Sequence, residues 1–281
     1  MGRYKIIVGA ESVLILGLVV FVTGMVGIEY TAPRVAHLGP LSALAFAAVP
    51  AVLWLGYFYR QDRIEPEPKT LVGGAFILGV FVVAPLASFV VGLIPIASAD
   101  LDPLSMQRLL RNILLIGMVQ EMAKYVVVRY SIYRHGEFDE PMDGIVYMMA
   151  CGTGFAVWVN YHRLSGQHHE VYLSIGAAQA VVTTLAHASF AGVLGYVMGR
   201  AKFSRRSAPV RGILLMIGLL VAAAFNGQFT LVAGWVVQRG LAQHPWYSVG
   251  YAAVSAAAIF GIIWLVSQRL LAASPFRGTA A

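Results

Sequence analysis

Long apolar runs separated by short polar loops dominate the pattern of hydrophobic and polar positions along this chain. A membrane-spanning helix needs about 20 predominantly apolar residues. The pattern predicts eight such helices, and the third contains Pro85, where we expect a break. Their predicted bounds are residues 6–28, 38–59, 71–97, 106–130, 143–163, 171–198, 212–237 and 247–270. The predicted fold class is therefore all-α, a polytopic transmembrane bundle of about eight spans in a single membrane domain, residues 1–281.

Composition supports a membrane protein and excludes an ordinary soluble domain. The 281 residues are 59% hydrophobic and only 12% charged, whereas soluble domains carry about 25% charged residues. The net charge of +7 does not indicate nucleic acid as a partner, because the lysines and arginines cluster in alternate loops. The single cysteine, Cys151, cannot form an intramolecular disulfide and is expected to be a small packing residue.

The distribution of basic residues predicts the orientation of the bundle. Fourteen lysines and arginines lie at the termini and in the even-numbered loops, and five lie in the odd-numbered loops. The positive-inside rule therefore places both termini in the cytoplasm. Of the basic segments, the loop Arg200–Arg211 is the richest, and we expect it to contact anionic lipid headgroups.

A charged pair inside an apolar run is the strongest functional signal in the chain. Glu121 and Lys124 lie about one helical turn apart, so they share a face of the fourth predicted helix. An ionisable side chain costs roughly 2.5–3.5 kcal/mol or more at the centre of a bilayer, so it marks a functional site by default. At 1.5 Å per residue, Glu121 lies roughly 13 Å from the inner end of its helix and His187 roughly 18 Å from that of the sixth.

These depths allow Glu121 and His187 to meet in one polar cavity. A carboxylate beside an imidazole is suited to activating water, and the pair could also bind a divalent metal such as zinc, although two ligands are few. Asp143, at the start of the fifth helix, is a candidate N-cap or first-turn carboxylate. The alternative is structural: Glu121 pairs with Lys124, and His187 forms a hydrogen bond within the core.

Other polar residues carry weaker predictions of chemistry. His162, His168 and His169 cluster near one end of the fifth and sixth helices and could bind a metal, but their irregular spacing favours a solvated loop. Glu11 lies early in the first helix, where it either reaches the membrane surface or faces the bundle.

Small and amide-bearing residues predict how the helices pack. Ala191, Gly195 and Gly199 recur at four-residue spacing on the sixth helix, a pattern typical of close helix–helix contact. Asn226 and Gln228 on the seventh helix are predicted to form interhelical hydrogen bonds.

In its central part the chain resembles the PrsW family of intramembrane proteases, which are related to the CAAX-processing and bacteriocin-processing membrane proteases. The resemblance covers residues 57–199, and the helices at 6–28 and 212–270 are additions to it. Its motifs, in order, are the Glu-Pro-bearing loop Tyr57–Pro68, the segment Gln120–Lys124 where the family has Glu-Glu-x-x-Lys, the Asp-Gly-Ile-Val-Tyr segment within Phe138–Tyr147, the Gly-x-Gly-Phe-Ala segment Gly152–Ala156, and a later helix with His187 and Gly195.

The resemblance implies catalytic residues, but two acidic positions of the family are substituted. Gln120 stands at the first glutamate of the first motif, and Val159 stands at the glutamate of the family's Phe-x-x-x-Glu-Asn. A carboxamide cannot act as a general base near neutral pH, and valine neither ionises nor binds a metal. The remaining candidates for catalysis are Glu121, Lys124, Asp143 and His187.

Three functions remain open. The first is a protease-fold protein of the prokaryotic plasma membrane with impaired catalysis, which binds or assembles single-span membrane partners. The second, implied by the resemblance, is an active intramembrane endopeptidase that cleaves single-span substrates such as anti-sigma factors. The third is a proton-coupled transporter with Glu121, Lys124 and His187 as a relay. A transporter predicts inverted repeats, and no internal repeat is evident in the sequence.

Overall fold

The computed structural model of the chain describes residues 2–31, 38–94, 105–165, 172–238 and 245–278. These ranges are mostly helical, joined by short turns and loops, and contain no strand. The elements are α1 (Gly2–Thr31), α2 (Pro40–Tyr59), α3 (Lys69–Leu78), a π-helical segment (Gly79–Val83), α4 (Ala84–Gly92), α5 (Met106–Arg111), a second π-helical segment (Asn112–Gly117), α6 (Met118–Ser131), α7 (Pro141–Ser165), α8 (Leu173–Lys202), α9 (Ala208–Gln238), α10 (Pro245–Ala272) and a 3₁₀ turn (Pro275–Gly278).

Within the described ranges, seven helical runs are long and apolar enough to cross a membrane. The eighth predicted span is the continuous stretch Met106–Ser131, formed by α5, the second π-helical segment and α6. It is about 39 Å long at 1.5 Å per residue, enough for a hydrocarbon core of about 30 Å. Charged residues such as Glu121 and Lys124 lower its hydropathy. The all-α bundle of about eight spans is thus confirmed.

The third span differs from its prediction at Pro85. The helical run Lys69–Gly92 continues through this proline, and the π-helical segment Gly79–Val83 lies directly before it. A proline ring clashes with the carbonyl group four residues earlier in an α-helix. A wider π turn is one way in which a helix absorbs such a clash without ending. The expected break is therefore a local widening of one continuous span.

Helices α7 and α8 form the centre of the bundle. In their most apolar 18-residue stretches, 89% and 78% of the residues are buried. Glycines bring their backbones together. A Cβ atom at Gly195 would collide with the carbonyl oxygen of Gly144, and one at Gly199 with that of Pro141. The predicted close packing at Ala191, Gly195 and Gly199 is confirmed. Only glycine allows this approach, because any side chain would push the helices apart.

A similar close approach fixes α9 beside the span that carries Glu121. Gly117, in the second π-helical segment, lies against the backbone of Ala223. On α9 the buried residues include Leu219, Ala222, Ala223 and Asn226, at successive intervals of three, one and three positions. This spacing places them on one helix face. Asn226 is therefore turned toward α6 and the interior of the bundle.

Candidate functional site

Glu121 and Lys124 form an ion pair in the interior of the bundle. The Nζ atom of Lys124 lies 2.7 Å from Oε1 of Glu121, and both side chains are 0% exposed. The spacing of three residues on α6 places the two groups on one face of the helix. Pairing offsets the cost of placing charges in a low-dielectric interior. The two strongest candidates from the sequence are thus ion-pair partners of each other.

A third polar group, Asn226 of α9, completes this cluster. Its Nδ2 atom donates to Oε1 of Glu121 at 2.8 Å and to Oε1 of Gln120 at 3.0 Å. The predicted interhelical hydrogen bonding of Asn226 is confirmed, and its partners are the two side chains of the substituted Glu-Glu motif. Gln120 therefore uses its carbonyl oxygen to hold α9 in place.

His187 lies on α8 in an aromatic setting next to the ion pair. Its ring centroid is 4.9 Å from that of Phe155 on α7 and 5.9 Å from that of Phe190. The Nζ atom of Lys124 lies 4.6 Å from the centroid of the same Phe155 ring. Phe155 therefore contacts both polar residues, and it was not a candidate from the sequence. No hydrogen bond joins His187 to Glu121.

Three buried polar atoms of this region have no hydrogen-bond partner. They are Oε2 of Glu121, Oδ1 of Asn226 and Nδ1 of His187. Buried polar groups are almost always hydrogen-bonded, and a water molecule often supplies the missing bond. Oε2 of Glu121 and Oδ1 of Asn226 can only accept hydrogen bonds, so a water molecule beside either atom would donate to it. Oε2 of Glu121 is thus the carboxylate oxygen that the ion pair leaves without a partner.

The second substituted position, Val159, is half-buried on α7 and packs against the apolar core. Its neighbour Asn160 donates to the carbonyl oxygen of Ala180 at 3.2 Å and to Oγ1 of Thr184 at 3.3 Å. The side-chain amide of Asn160 thus links α7 to α8. Val159 contributes neither charge nor a metal ligand.

Asp143 lies apart from this centre, in the first turn of α7. Cys151 is eight residues further along the same helix. Its thiol interacts electrostatically with Lys124 and Glu121, so it lies near the ion pair. Eight residues correspond to about 12 Å along the helix axis. The structure thus brings together Glu121, Lys124 and the neighbourhood of His187, and it places Asp143 in a second cluster.

The second cluster, which we call the acidic cluster, consists of Asp62, Glu67, Glu140 and Asp143. One carboxylate oxygen each of Asp62, Glu140 and Asp143 lie within 4.8 Å of one another. The backbone N–H of Glu140 donates to Asp143 at 2.7 Å. Around the cluster, the hydroxyl of Tyr147 donates to Glu67, and that of Ser274 donates to Glu140 at 2.5 Å.

Burial makes these carboxyl groups hard to ionise. It raises the pKa of Asp62 to about 7, and the charges of Glu140 and Asp143 add to the shift. Burial also raises the pKa of Glu67 to about 7, against the lowering effect of hydrogen bonds with Asp143 and Tyr147. The pKa of Glu140 is raised by burial as well. Near neutral pH, Asp62 and Glu67 therefore keep a substantial share of their protons.

Remaining candidates from the sequence have structural partners. Glu11 forms an ion pair with Arg63 at 2.8 Å, so it faces the bundle. Gln228 donates to the hydroxyl of Tyr251 on α10, which confirms its predicted interhelical bond. The free cysteine Cys151 is buried, as predicted.

The predicted histidine cluster is described only at His162, which is exposed. Its Nδ1 atom lies 3.0 Å from the carbonyl oxygen of Trp158, and its ring centroid lies 4.1 Å from that of Trp158. His168 and His169 lie outside the described residues.

Sequence reasoning missed Asp62, Glu67 and Glu140 as members of a site. The signal was present in the quoted motifs, since Asp62 and Glu67 lie within the Glu-Pro-bearing loop and Glu140 precedes Asp143 by three residues. Nothing in the spacing alone shows that the loop before α3 folds against the start of α7.

The fold and these two sites define an integral membrane protein with an ionisable centre inside its helical bundle. A family model described as PrsW family intramembrane metalloprotease matches residues 67–264. The chain therefore belongs to the PrsW family, and it is an integral protein of the bacterial plasma membrane. The match includes α9 and its Asn226.

Curated relatives named Protease PrsW support the same family. The protein of Geobacillus kaustophilus is 32% identical over 163 residues, which cover 58% of this chain and 68% of the relative. The protein of Bacillus subtilis is 29% identical, with coverage of 66% and 82%. That of Oceanobacillus iheyensis is 33% identical, with coverage of 58% and 70%. No solved structure matches the chain.

The family's description implies a metal, and the two sites differ in how well they fit one. A catalytic zinc ion takes three protein ligands of nitrogen, sulfur or oxygen, and the centre at Glu121 and His187 offers two. Among the residues that the structure describes, the acidic cluster provides a group of three that could hold an ion, Asp62, Glu140 and Asp143. Oxygen ligands alone suit Mg²⁺, Ca²⁺ or Mn²⁺ rather than zinc. The intramembrane centre does not fit a catalytic zinc ion.

Proposed function

We propose that this chain is a PrsW-family membrane protein whose catalysis is impaired so far that it does not cleave peptides, and that it binds single-span membrane proteins in the plasma membrane. The observation that supports the proposal is the state of Glu121. Its carboxylate is fully buried, and one oxygen accepts hydrogen bonds from Lys124 and Asn226.

The two substituted positions, Gln120 and Val159, also support the proposal. A general base must be able to accept a proton from water within hydrogen-bond reach. Gln120 cannot accept one near neutral pH, and its carbonyl oxygen already accepts from Asn226. Val159 has no polar atom. The carboxylates that the family resemblance expects at both positions are therefore missing, and Glu121 is the carboxylate left at this centre.

Binding of a membrane partner requires only the parts of the helical scaffold that this chain retains. The α7–α8 packing, the Gly-x-Gly-Phe-Ala segment and His187 are all present, so the scaffold that would hold a substrate helix persists without the full acidic set. Such a protein recognises a transmembrane helix, holds it in the bilayer and does not hydrolyse it. The bound partner would be a single-span membrane protein.

An active endopeptidase is the second candidate, and a specific observation favours it. Oε2 of Glu121 and Nδ1 of His187 are buried and unpaired. In this alternative Glu121 accepts a proton from a water molecule while His187 orients that water or donates a hydrogen bond to the substrate's carbonyl oxygen. This route uses no zinc ion, because the centre offers too few ligands for one.

The two candidates are separated by cleavage of single-span substrates in proteoliposomes. The wild type, Glu121→Gln and His187→Ala are compared, with the Bacillus subtilis relative named Protease PrsW as the positive control. A fourth protein, Gln120→Glu/Val159→Glu, restores the two carboxylates. The proposal predicts no cleavage by the wild type and new, His187-dependent cleavage by the restored variant. Wild-type cleavage that disappears in Glu121→Gln would overturn it in favour of the endopeptidase.

Binding is measured separately from cleavage. Energy transfer between labelled protein and labelled single-span helices in the same vesicles gives the affinity. The proposal predicts equal affinity for wild type and Glu121→Gln, because recognition resides in helix packing rather than in the carboxylate. Absence of binding by every folded variant across the panel, while the positive control binds, counts against a partner role.

A further inference from the structure

A basic pocket lies between the end of α8 and the start of α9, and Pro141, the residue after Glu140 of the acidic cluster, also lines it. Its volume is about 310 Å³, near the lower limit of small-ligand pockets. Arg200 and Arg206 line it together with Val197 and Leu214. The two helices that form it, Leu173–Lys202 and Ala208–Leu231, are both candidate membrane spans. The pocket therefore lies at the membrane surface.

Neither arginine of this pocket forms an ion pair within the described ranges. Arg200 and Arg206 are exposed, and the ion pairs within the described ranges lie elsewhere, at Glu11 and at Glu121. Lys202, close by in sequence, is already committed, since its Nζ atom donates to the carbonyl oxygens of Tyr133 and Phe138. Two arginines that line one pocket and form no ion pair within the described ranges are suited to binding a phosphate group.

An apolar surface continues from the pocket along α9. Val210, Ile213 and Ile217 are exposed by 38%, 59% and 51%, and their spacing of three and four residues puts them on one helix face. Val197 and Leu214 extend this apolar character into the pocket itself. A free phosphate ion would use the arginines alone. An amphiphile would use the arginines and the apolar face together.

We propose that this pocket binds one anionic phospholipid. The phosphate and headgroup lie between Arg200 and Arg206, and an acyl chain follows the face formed by Val210, Ile213 and Ile217. Basic pockets between membrane helices on the cytoplasmic side are known to hold lipid headgroups. The site is independent of peptidase activity and of the proposed partner role.

Native mass spectrometry of the full chain with phosphatidylglycerol tests the site. The pocket variant is Arg200→Gln/Arg206→Gln. Its matched control is Arg60→Gln/Arg205→Gln, which removes the same charge from exposed positions that do not line the pocket. The site predicts one retained lipid in the wild type, about a tenfold loss of affinity in the pocket variant, equal to about 1.4 kcal/mol, and a loss of less than about threefold in the control.

Two further arms separate the sources of binding. Leu214→Trp fills the pocket without changing its charge, and it should weaken lipid binding as much as the arginine variant does. Phosphatidylcholine and inorganic phosphate should fail to compete. Equal losses in the pocket and control variants would show a diffuse basic surface and overturn the proposal, and so would full competition by inorganic phosphate. Thermal unfolding of each variant confirms that it is folded.

Discussion

Replacing Lys124 by methionine tests whether the buried ion pair holds the centre together. The substitution preserves an unbranched side chain and removes the ammonium group. Glu121, which is 0% exposed, is then left with Asn226 as its hydrogen-bond donor. Removing one partner of a buried ion pair costs about 3–5 kcal/mol, because the other charge stays buried without compensation. We expect a loss of this size in the free energy of unfolding.

A double-mutant cycle isolates the pair from other effects of the substitution. The proteins are the wild type, Lys124→Met, Glu121→Gln and the double variant. The double variant buries no unpaired charge, so it should recover much of the stability that either single substitution loses. We expect a coupling free energy of about 2 kcal/mol or more between the two positions.

Reversible unfolding of the full chain in mixed micelles, followed by tryptophan fluorescence, supplies the four free energies. A matched control is Met122→Leu, on the same helix and partly exposed, which should change stability by less than about 1.5 kcal/mol. Effects of the two single substitutions that add within about 0.5 kcal/mol would refute the reasoning, because independent sites behave in this way.

Three more predictions follow from the contacts. Asn226→Leu should cost about 1.5–3 kcal/mol in unfolding free energy, because it removes a hydrogen bond to the charged Glu121. Gly195→Ala should cost about 1–3 kcal/mol by overpacking against α7, measured beside Gly212→Ala, where nothing lies within 4 Å of the new Cβ. In the presence of a metal chelator, the free energy of unfolding should fall as the pH rises from about 4 to about 7. The Asp62 carboxyl group keeps its proton in the folded protein over that range and loses it in the unfolded chain. Asp62→Asn should flatten this decline, and an unchanged slope would contradict the assignment.

The fold was largely predictable because its determinants are local. Spans follow from runs of about 20 apolar residues, and the spacing of Gly195 and Gly199 indicates close packing without knowledge of the partner helix. The partner depends on contacts between distant segments. Gly144 and Pro141 of α7 supply the carbonyl oxygens that those glycines face, and no local pattern identifies them.

The candidate site was predictable only in part, for the same reason. Glu121 and Lys124 are three residues apart on one helix, so their pairing follows from helix geometry. The third member, Asn226, is 105 residues from Glu121 along the chain. Its donation to that carboxylate depends on how α9 packs against α6. Asp143 was predicted to belong to the same centre, but it lies about 12 Å along the α7 axis from Cys151, which is next to that centre. Its neighbours Asp62 and Glu140 come from loops whose positions depend on contacts between distant segments.

The most direct test of the central claim is the rate at which the wild type cleaves single-span substrates, compared with Glu121→Gln in the same proteoliposomes. Oε1 of Glu121 accepts hydrogen bonds from both Lys124 and Asn226, and glutamine replaces the neighbouring carboxylate at position 120. We therefore expect the same background rate for both proteins, while the Bacillus subtilis relative cleaves in parallel. Cleavage by the wild type that falls to background in Glu121→Gln would contradict the account and establish Glu121 as a working catalytic base.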